Sequence, residues 1–371
     1  MNNLKRKPLR VALIVSERTL AQYSMSLEYL LVGLADESVP VVLVCPPGSN
    51  VDSIICGAVE VLRHPPVDLP LAERLGRNML AELLAKFEPT VLHCLCQSRA
   101  PLAEWLARRL DLPYILTVDS LQKRPRPFPA SLEHCARIVV PARTVAASIA
   151  GFHPQFAERI EQINAGTFVA ETSRCFSSAS RTATIVAAHP LDNADDFENL
   201  FGAIRHISLD GYEFMTVVMG GGRDESQVHK LLAALGLLQT VTVVPRLRPV
   251  RSVLAAGDIF IRPQPSSAFD PFLLEAMSVG VAVAACRGGV DDLIVDGETA
   301  VVFDPDDELS IVAALKQLLG KREFARKIAA AGQEYLRKNH SVSNMISAAL
   351  QTYRNAEQWH KSPDRQSGTA S

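Results

Sequence analysis

The stretch FDPFLLEAMSVGVAVAACRGGVDDLIVDGETAVVFDPDD, residues 269–307, gathers groups suited to holding anions and hydroxyls. It offers two carboxylates, Asp270 and Glu275, near the opening of an apolar helix, then a buried strand, then Arg287 followed by Gly288 and Gly289. A carboxylate so placed accepts charge-assisted hydrogen bonds, each worth about 1.5–3 kcal/mol. The backbone N–H groups of Ala268, Phe269, Asp270 and Phe272 suit a phosphate at the helix start, although Pro271 removes one donor. Cations lie upstream: Arg246, Arg248 and Arg251 in VPRLRPVRSV, and His189 after IVAA.

Other motifs narrow the chemistry. GGGR at 220–223 lacks the ending of a Walker loop and the spacing of a dinucleotide fingerprint, so it reads as a structural turn between a strand and a helix. There is no Gly-x-Ser-x-Gly and no His-Glu-x-x-His, which leaves hydrolase and zinc-protease readings without support. In HCLC, residues 93–96, strand alternation turns Cys94 and Cys96 to one face and His93 to the other, which fits strand-end residues better than metal ligands. The seven cysteines, at 45, 56, 94, 96, 135, 175 and 286, are odd in number and scattered, as reduced thiols are.

These residues need a frame, and 371 residues suggest two domains. With 48% hydrophobic and 21% charged residues, the chain has the composition of a globular protein. A formal net charge of -2 gives no field for a long nucleic-acid footprint, so no nucleic-acid partner is expected. The basic run KRKPLR at 5–10 reads as a solvated leader, with at most weak peripheral contact with acidic lipid headgroups. No apolar run approaches the roughly eighteen residues of a membrane span, and the first ten lack the apolar centre of a secretory signal; a cytoplasmic protein is expected.

From residue 9 onward, short Val/Ile/Leu runs alternate with amphipathic segments. LRVALIV, PVVLVC, AVEVL, TVLHCLC, PYILTV and RIVVPA read as strands, with helices at 24–36, around 70–87 and around 100–110. A second series follows: TATIVAA, YEFMTVVMGGG, VTVVP, DIFIRP, VAVAAC and AVVFDP, with helices at 195–208, 225–236, 250–256 and 272–279. Apolar runs of this kind between helices signal parallel sheets buried on both faces. Two doubly wound α/β domains are expected, 1–166 and 181–344, facing across a cleft. A helix and polar tail at 345–371 complete the helical C-terminal segment and are free to pack back on the first domain.

The order of elements from about 181 to 338 resembles the retaining glycosyltransferases of the GT-B fold known as family 4. The resemblance is carried by the Gly-rich strand end VVMGGG, then LGL, AGDIFIRPQ, LLEAMSVGVAV, RGGVDDLIVDG and DPDD. PTVLHCLC, DLPYILTV and INAGTF follow the family order in the first half. The resemblance implies a nucleotide-diphospho-sugar donor held by the C-terminal domain, an acceptor (glycan, lipid or small molecule) at the N-terminal domain, and no metal or other cofactor. It matches Glu275 to the acid that receives the ribose hydroxyls, and brings Arg246, Arg287, Gly288 and Gly289 towards the donor.

Several positions depart from that pattern. The first acid of the family's glutamate pair corresponds to Ser267, with Asp270 close by where the family has Gly. The Arg and Lys that face the diphosphate correspond to Ala188 and Asn193, leaving His189 as the nearby cation. SERTLAQYSMS replaces a Gly-rich loop, and Asp119 replaces a His that contacts the sugar. Asp119 and Asp270 are the candidate catalytic carboxylates. Two functions are therefore carried forward: a glycosyltransferase, with polysaccharide or glycolipid synthesis as its setting, and a non-catalytic protein of the same fold that binds a partner, glycan or nucleotide. An epimerase or phosphorylase has no residues arguing for it.

Overall fold

The computed structural model describes residues 8–49, 51, 59–64, 70–124, 126–178, 181–245 and 249–362. Lys5, Arg6 and Lys7 of the basic run, Cys56, Arg246, Arg248 and the tail from 363 lie outside the described residues. The chain forms two compact units, one of residues 1–166 with 342–371 and one of residues 167–341.

The first unit carries strands β1 (Val11–Ile14), β2 (Val41–Cys45), β3 (Glu60–Arg63), β4 (Val91–Cys94), β5 (Tyr114–Thr117), β6 (Cys135–Val140) and β7 (Ile160–Gln162). They are parallel, in the order β3-β2-β1-β4-β5-β6-β7. Helices α1 (Glu17–Gln22), α2 (Ser24–Asp36), α3 (Pro70–Phe87), α4 (Ala100–Leu110) and α5 (Arg143–Phe152) connect them. β1, β2 and β4 are buried along their whole length, which is why β1 and β2 read as unbroken apolar runs and β4 as one interrupted only by His93. Along α2, Leu27, Leu30, Leu31 and Leu34 recur at helical spacing and bury one face.

In the second unit the strands are β8 (Ala183–Ala188), β9 (Phe214–Met219), β10 (Val241–Val244), β11 (Ile259–Arg262), β12 (Ala282–Cys286) and β13 (Val301–Phe303). Their order, β10-β9-β8-β11-β12-β13, reverses direction beside β8, as the first sheet does beside β1. Helices α6 (Glu198–Leu209), α7 (Glu225–Ala234), α8 (Val250–Ala255), α9 (Pro271–Val279), α10 (Glu308–Gly320) and α11 (Arg322–Asn339) surround it. These are two Rossmann-like parallel-sheet units with a helical C-terminal part, the elements the resemblance to the GT-B fold implies.

The last helix, α12 (Val342–His360), packs within the first unit. Met345, Ile346, Ala349, Leu350, Tyr353 and Ala356 enter the core beside β1, β2 and α2. Inside that packing lies a polar relay: the His93 ring meets the Tyr353 hydroxyl at 2.9 Å and the Thr117 hydroxyl at 2.8 Å. Both ring nitrogens are thus satisfied, and burial lowers the His93 pKa from 6.5 to about 3, so the imidazole is neutral. The strand ends at Cys94, so its alternation stops short of Cys96; the Cys94 thiol turns to the Cys96 carbonyl at 3.0 Å.

We expect Tyr353→Phe to cost about 1–2 kcal/mol in urea unfolding, because it leaves a buried ring nitrogen unpaired. Stability linked to His93 should be complete above pH 6.5 and fall away as the pH drops towards about 3, since the unfolded ring takes up the proton first. An unchanged unfolding midpoint in the variant would contradict this account.

Candidate functional site

Open α/β sheets bind ligands beyond the carboxyl ends of their strands, where the winding reverses. In the second unit that point lies between β8 and β11. Three loops converge there: 189–193 after β8, 263–270 after β11 and 287–290 after β12. The Gln264 amide donates to the Asp196 carbonyl at 3.2 Å, and the Val290 N–H donates to the Ser266 carbonyl at 2.7 Å. Gly289 makes the second contact possible, because its φ is +70° and a Cβ there would stand 2.0 Å from the Ser266 carbonyl oxygen.

The structure thereby brings Ser267, Ala268, Phe269, Asp270, Gly288 and Gly289 to one edge of the sheet. Asp270 caps α9: its carboxylate accepts from the N–H groups of Phe272 at 2.9 Å and Leu273 at 3.2 Å, with Pro271 at the first helical position. The Ala268 N–H donates to the Ser266 hydroxyl at 3.2 Å. Part of the expected phosphate cradle is therefore filled by the chain's own oxygens. Burial pushes the Asp270 carboxyl up, opposed first by the charge of Arg262 and then by the two backbone donors. Arg287 is exposed at the rim of the same loop.

At the end of β8, Ala188 is buried in the strand and Asn193 caps the 3-10 turn Ala194–Phe197. His189 lies 3.2 Å from the Asp196 carboxylate and edge-on to Phe197. The GGGR turn braces this loop. A Cβ on Gly220 would approach the His189 carbonyl oxygen to 2.1 Å and one on Gly222 the Leu191 carbonyl carbon to 2.3 Å, while Arg223 donates to the Asp192 carbonyl at 3.0 Å.

Glu275 lies one turn into α9 and is 2% exposed. It accepts from the Thr167 hydroxyl at 2.8 Å, from Arg251 at 2.8 Å and from the Ser278 hydroxyl at 3.3 Å. Arg251 also donates to Ser278 at 3.0 Å and to the Phe168 carbonyl, so one ion pair joins α8, α9 and the segment that opens the second unit. Burial raises the Glu275 pKa; Thr167 and then Arg251 oppose that rise.

Asp119 belongs to the first unit, half-buried beyond β5. It lines a cavity of about 240 Å³ with Ser16, Thr19, Cys96, Ser98 and Ser120, at the reversal point of that sheet. Where the resemblance places a Gly-rich loop, Ser16 forms a capping box with Thr19 and starts α1 directly. Hydrogen bonds from Cys94, Ser16, Ser98 and Thr19 outweigh burial and lower the Cys96 pKa to about 6. A larger cavity of about 360 Å³, lined by Thr90, Pro113 and His360, lies at the opposite, amino ends of β4 and β5. Among the described residues, no group of three or more His, Cys, Asp or Glu is arranged to hold a metal ion, and no helix is long and apolar enough to cross a membrane.

Sequence reasoning passed over Arg262, a charge that ends the strand after Ile259, Phe260 and Ile261, and Gln264, two residues on. The signal available was the arginine itself, at a strand position whose neighbours are all apolar.

Arg251→Met would strand the buried Glu275 carboxylate, and we expect it to cost about 3 kcal/mol in urea unfolding. Glu275→Gln keeps the shape and returns a partly exposed arginine to solvent, so its expected cost is below about 1 kcal/mol. Equal costs for the two variants would contradict the pairing described.

Residues 181–321 match the family model for glycosyl transferases group 1. A sulfoquinovosyl transferase of Arabidopsis thaliana is 32% identical over 124 residues, which span 32% of this chain and 24% of that protein. An uncharacterized glycosyltransferase of Bacillus subtilis, YqgM, is 24% identical over 285 residues, 71% of this chain and 77% of that one. The structure of Anabaena Alr3699/HepE in complex with UDP and glucose superposes with a TM-score of 0.77 at 12% identity, covering 93% of this chain and 99% of that one. The match to the glycosyl transferases group 1 family model thus lies within the second unit, in a chain whose two Rossmann-like units have the GT-B fold.

Proposed function

We propose that the chain is a glycosyltransferase that takes a sugar from a nucleoside-diphosphate donor and passes it, with retention at the anomeric carbon, to a glycan, lipid or small-molecule acceptor. The observation carrying this reading is the convergence of three loops at the reversal point of the second sheet, with the opening of α9 and the Gly288–Gly289 loop stitched together beside it. The sugar-transfer class of the relatives and the UDP and glucose bound by the Anabaena protein favour the same chemistry.

In this reading the second unit holds the donor and the first unit offers the acceptor site, with the Asp119 cavity as its polar floor. Glu275 receives the ribose hydroxyls by exchanging Thr167 or Arg251 for them. Charge on the departing diphosphate is met by backbone N–H groups at the start of α9 and by Arg287, without a metal. We place this activity in the cytoplasm, consistent with the six described cysteines being free thiols.

One observation favours a second reading, a protein that binds the donor or another partner without turnover. The positions corresponding to the family's Arg and Lys carry no positive charge in Ala188 and Asn193, and His189 faces Asp196. Losing even one such stabilising donor commonly lowers a rate by about a hundredfold to a thousandfold.

Thermal unfolding with UDP, GDP, ADP and their sugar conjugates tests the reading. One nucleotide at about a hundred times its Kd should add about 2.7 kcal/mol of apparent stability, and Glu275→Gln should need at least tenfold more of it. No shift with any nucleotide at millimolar concentration would contradict donor binding, and binding without release of free sugar or product would favour the second reading.

A further inference from the structure

Arg262 ends β11 and is 1% exposed, among the largest fully buried side chains of the second unit. Its guanidinium donates to the carbonyls of Cys286 at 2.8 Å, Val290 at 3.0 Å and Gly288 at 3.4 Å, all in or beside the loop after β12. The Nε–H is buried and finds no acceptor among the described residues. Carbonyl dipoles supply no countercharge, and a cation held in this way is unfavourable unless an anion answers it. The rest of β11 is Ile259, Phe260 and Ile261, so packing alone would be served better by another apolar residue.

The charge of Arg262 reaches Asp270, for which it is the strongest influence favouring ionisation. Asp270 in turn accepts the Phe272 and Leu273 N–H groups at the start of α9. A carboxylate, two backbone donors at the opening of a nine-residue helix and a buried guanidinium whose charge reaches them are the parts of an anion site with an internal occupant. Two other basic residues at this edge are engaged, His189 with Asp196 and Arg223 with Asp192, while Arg287 stands exposed at its rim.

We propose that the buried charge of Arg262, acting beside the exposed Arg287, draws the donor's diphosphate to the start of α9, and that the Asp270 carboxylate keeps its place until the phosphate takes over the Phe272 and Leu273 N–H groups. The identity of the anion rests on the donor reading above. The Gly288–Gly289 loop, whose carbonyls Arg262 gathers, then closes over the phosphate from the β12 side. Asp270 thus weakens donor binding, because its charge must leave the helix start before the phosphate arrives.

The test is titration calorimetry on the full chain with inorganic pyrophosphate and with UDP, GDP and ADP, comparing wild type, Asp270→Asn and Arg262→Met. Asn retains a neutral capping oxygen, so the helix start is preserved while the charge is removed. Asp270→Asn should bind pyrophosphate at least tenfold more tightly than wild type, and folded Arg262→Met at least tenfold more weakly. A merely structural role for Asp270 would predict equal or weaker binding in its variant, and that result overturns the inference. Equal pyrophosphate affinity in a folded Arg262→Met protein overturns it as well; if that variant does not fold, Asp270→Asn decides alone. Tighter pyrophosphate binding without any nucleotide binding would support the inference and remove the nucleotide reading. Nucleotide binding that Asp270→Asn leaves unchanged would do the reverse, and no anion binding by any of the proteins would overturn both.

Discussion

A parallel sheet must cross over after every strand, and where the winding turns from one side of the first strand to the other, two neighbouring loops diverge and cannot cover one another. Everything proposed for the second unit depends on that constraint between β8 and β11. The strands themselves are apolar and buried, so chemistry has no place along them. It gathers where they end, at His189, at Arg262 to Asp270 and at Arg287 to Gly289. Glycine enters because the loops lie against each other's backbone: Gly289 on Ser266, Gly220 and Gly222 on the loop after β8.

Two buried charges on either side of the start of α9 are handled differently. Glu275 is paired, with Arg251, Thr167 and Ser278 around its carboxylate, so its burial ties α8, α9 and the segment at 167–168 together. Arg262 donates to three carbonyls, and its charge favours ionisation of Asp270. The first arrangement is complete in itself until a ligand replaces one of its partners. The second leaves positive charge beneath a helix start, which is a reason to bring an anion there.

The doubly wound architecture was legible because β1, β2 and β12 are buried on both faces and so appear as unbroken apolar runs, because β4 and β11 depart from that only at His93 and Arg262, and because α2 carries leucines at helical spacing. The direct start of α1 was less so: SERTLAQYSMS reads as a loop until Ser16 and Thr19 are seen to cap one another. α5 and the short β7 carry weaker patterns, with polar and small residues interrupting their apolar positions. At the site, the importance of Glu275, Asp270 and the Gly-Gly loop could be read from type and spacing. The partners of Glu275 could not, since Arg251 stands 24 residues away and Thr167 stands 108 away, and no local period connects them. Arg262 was visible as a letter, but its burial is a property of the packed sheet.

The most direct measurement is a crystal structure with UDP bound. The account predicts the diphosphate at the opening of α9, with oxygens on the Phe272 and Leu273 N–H groups, the Asp270 carboxylate turned away and Arg262 still holding the Cys286 and Val290 carbonyls. UDP bound elsewhere, with Asp270 still capping α9, would contradict it.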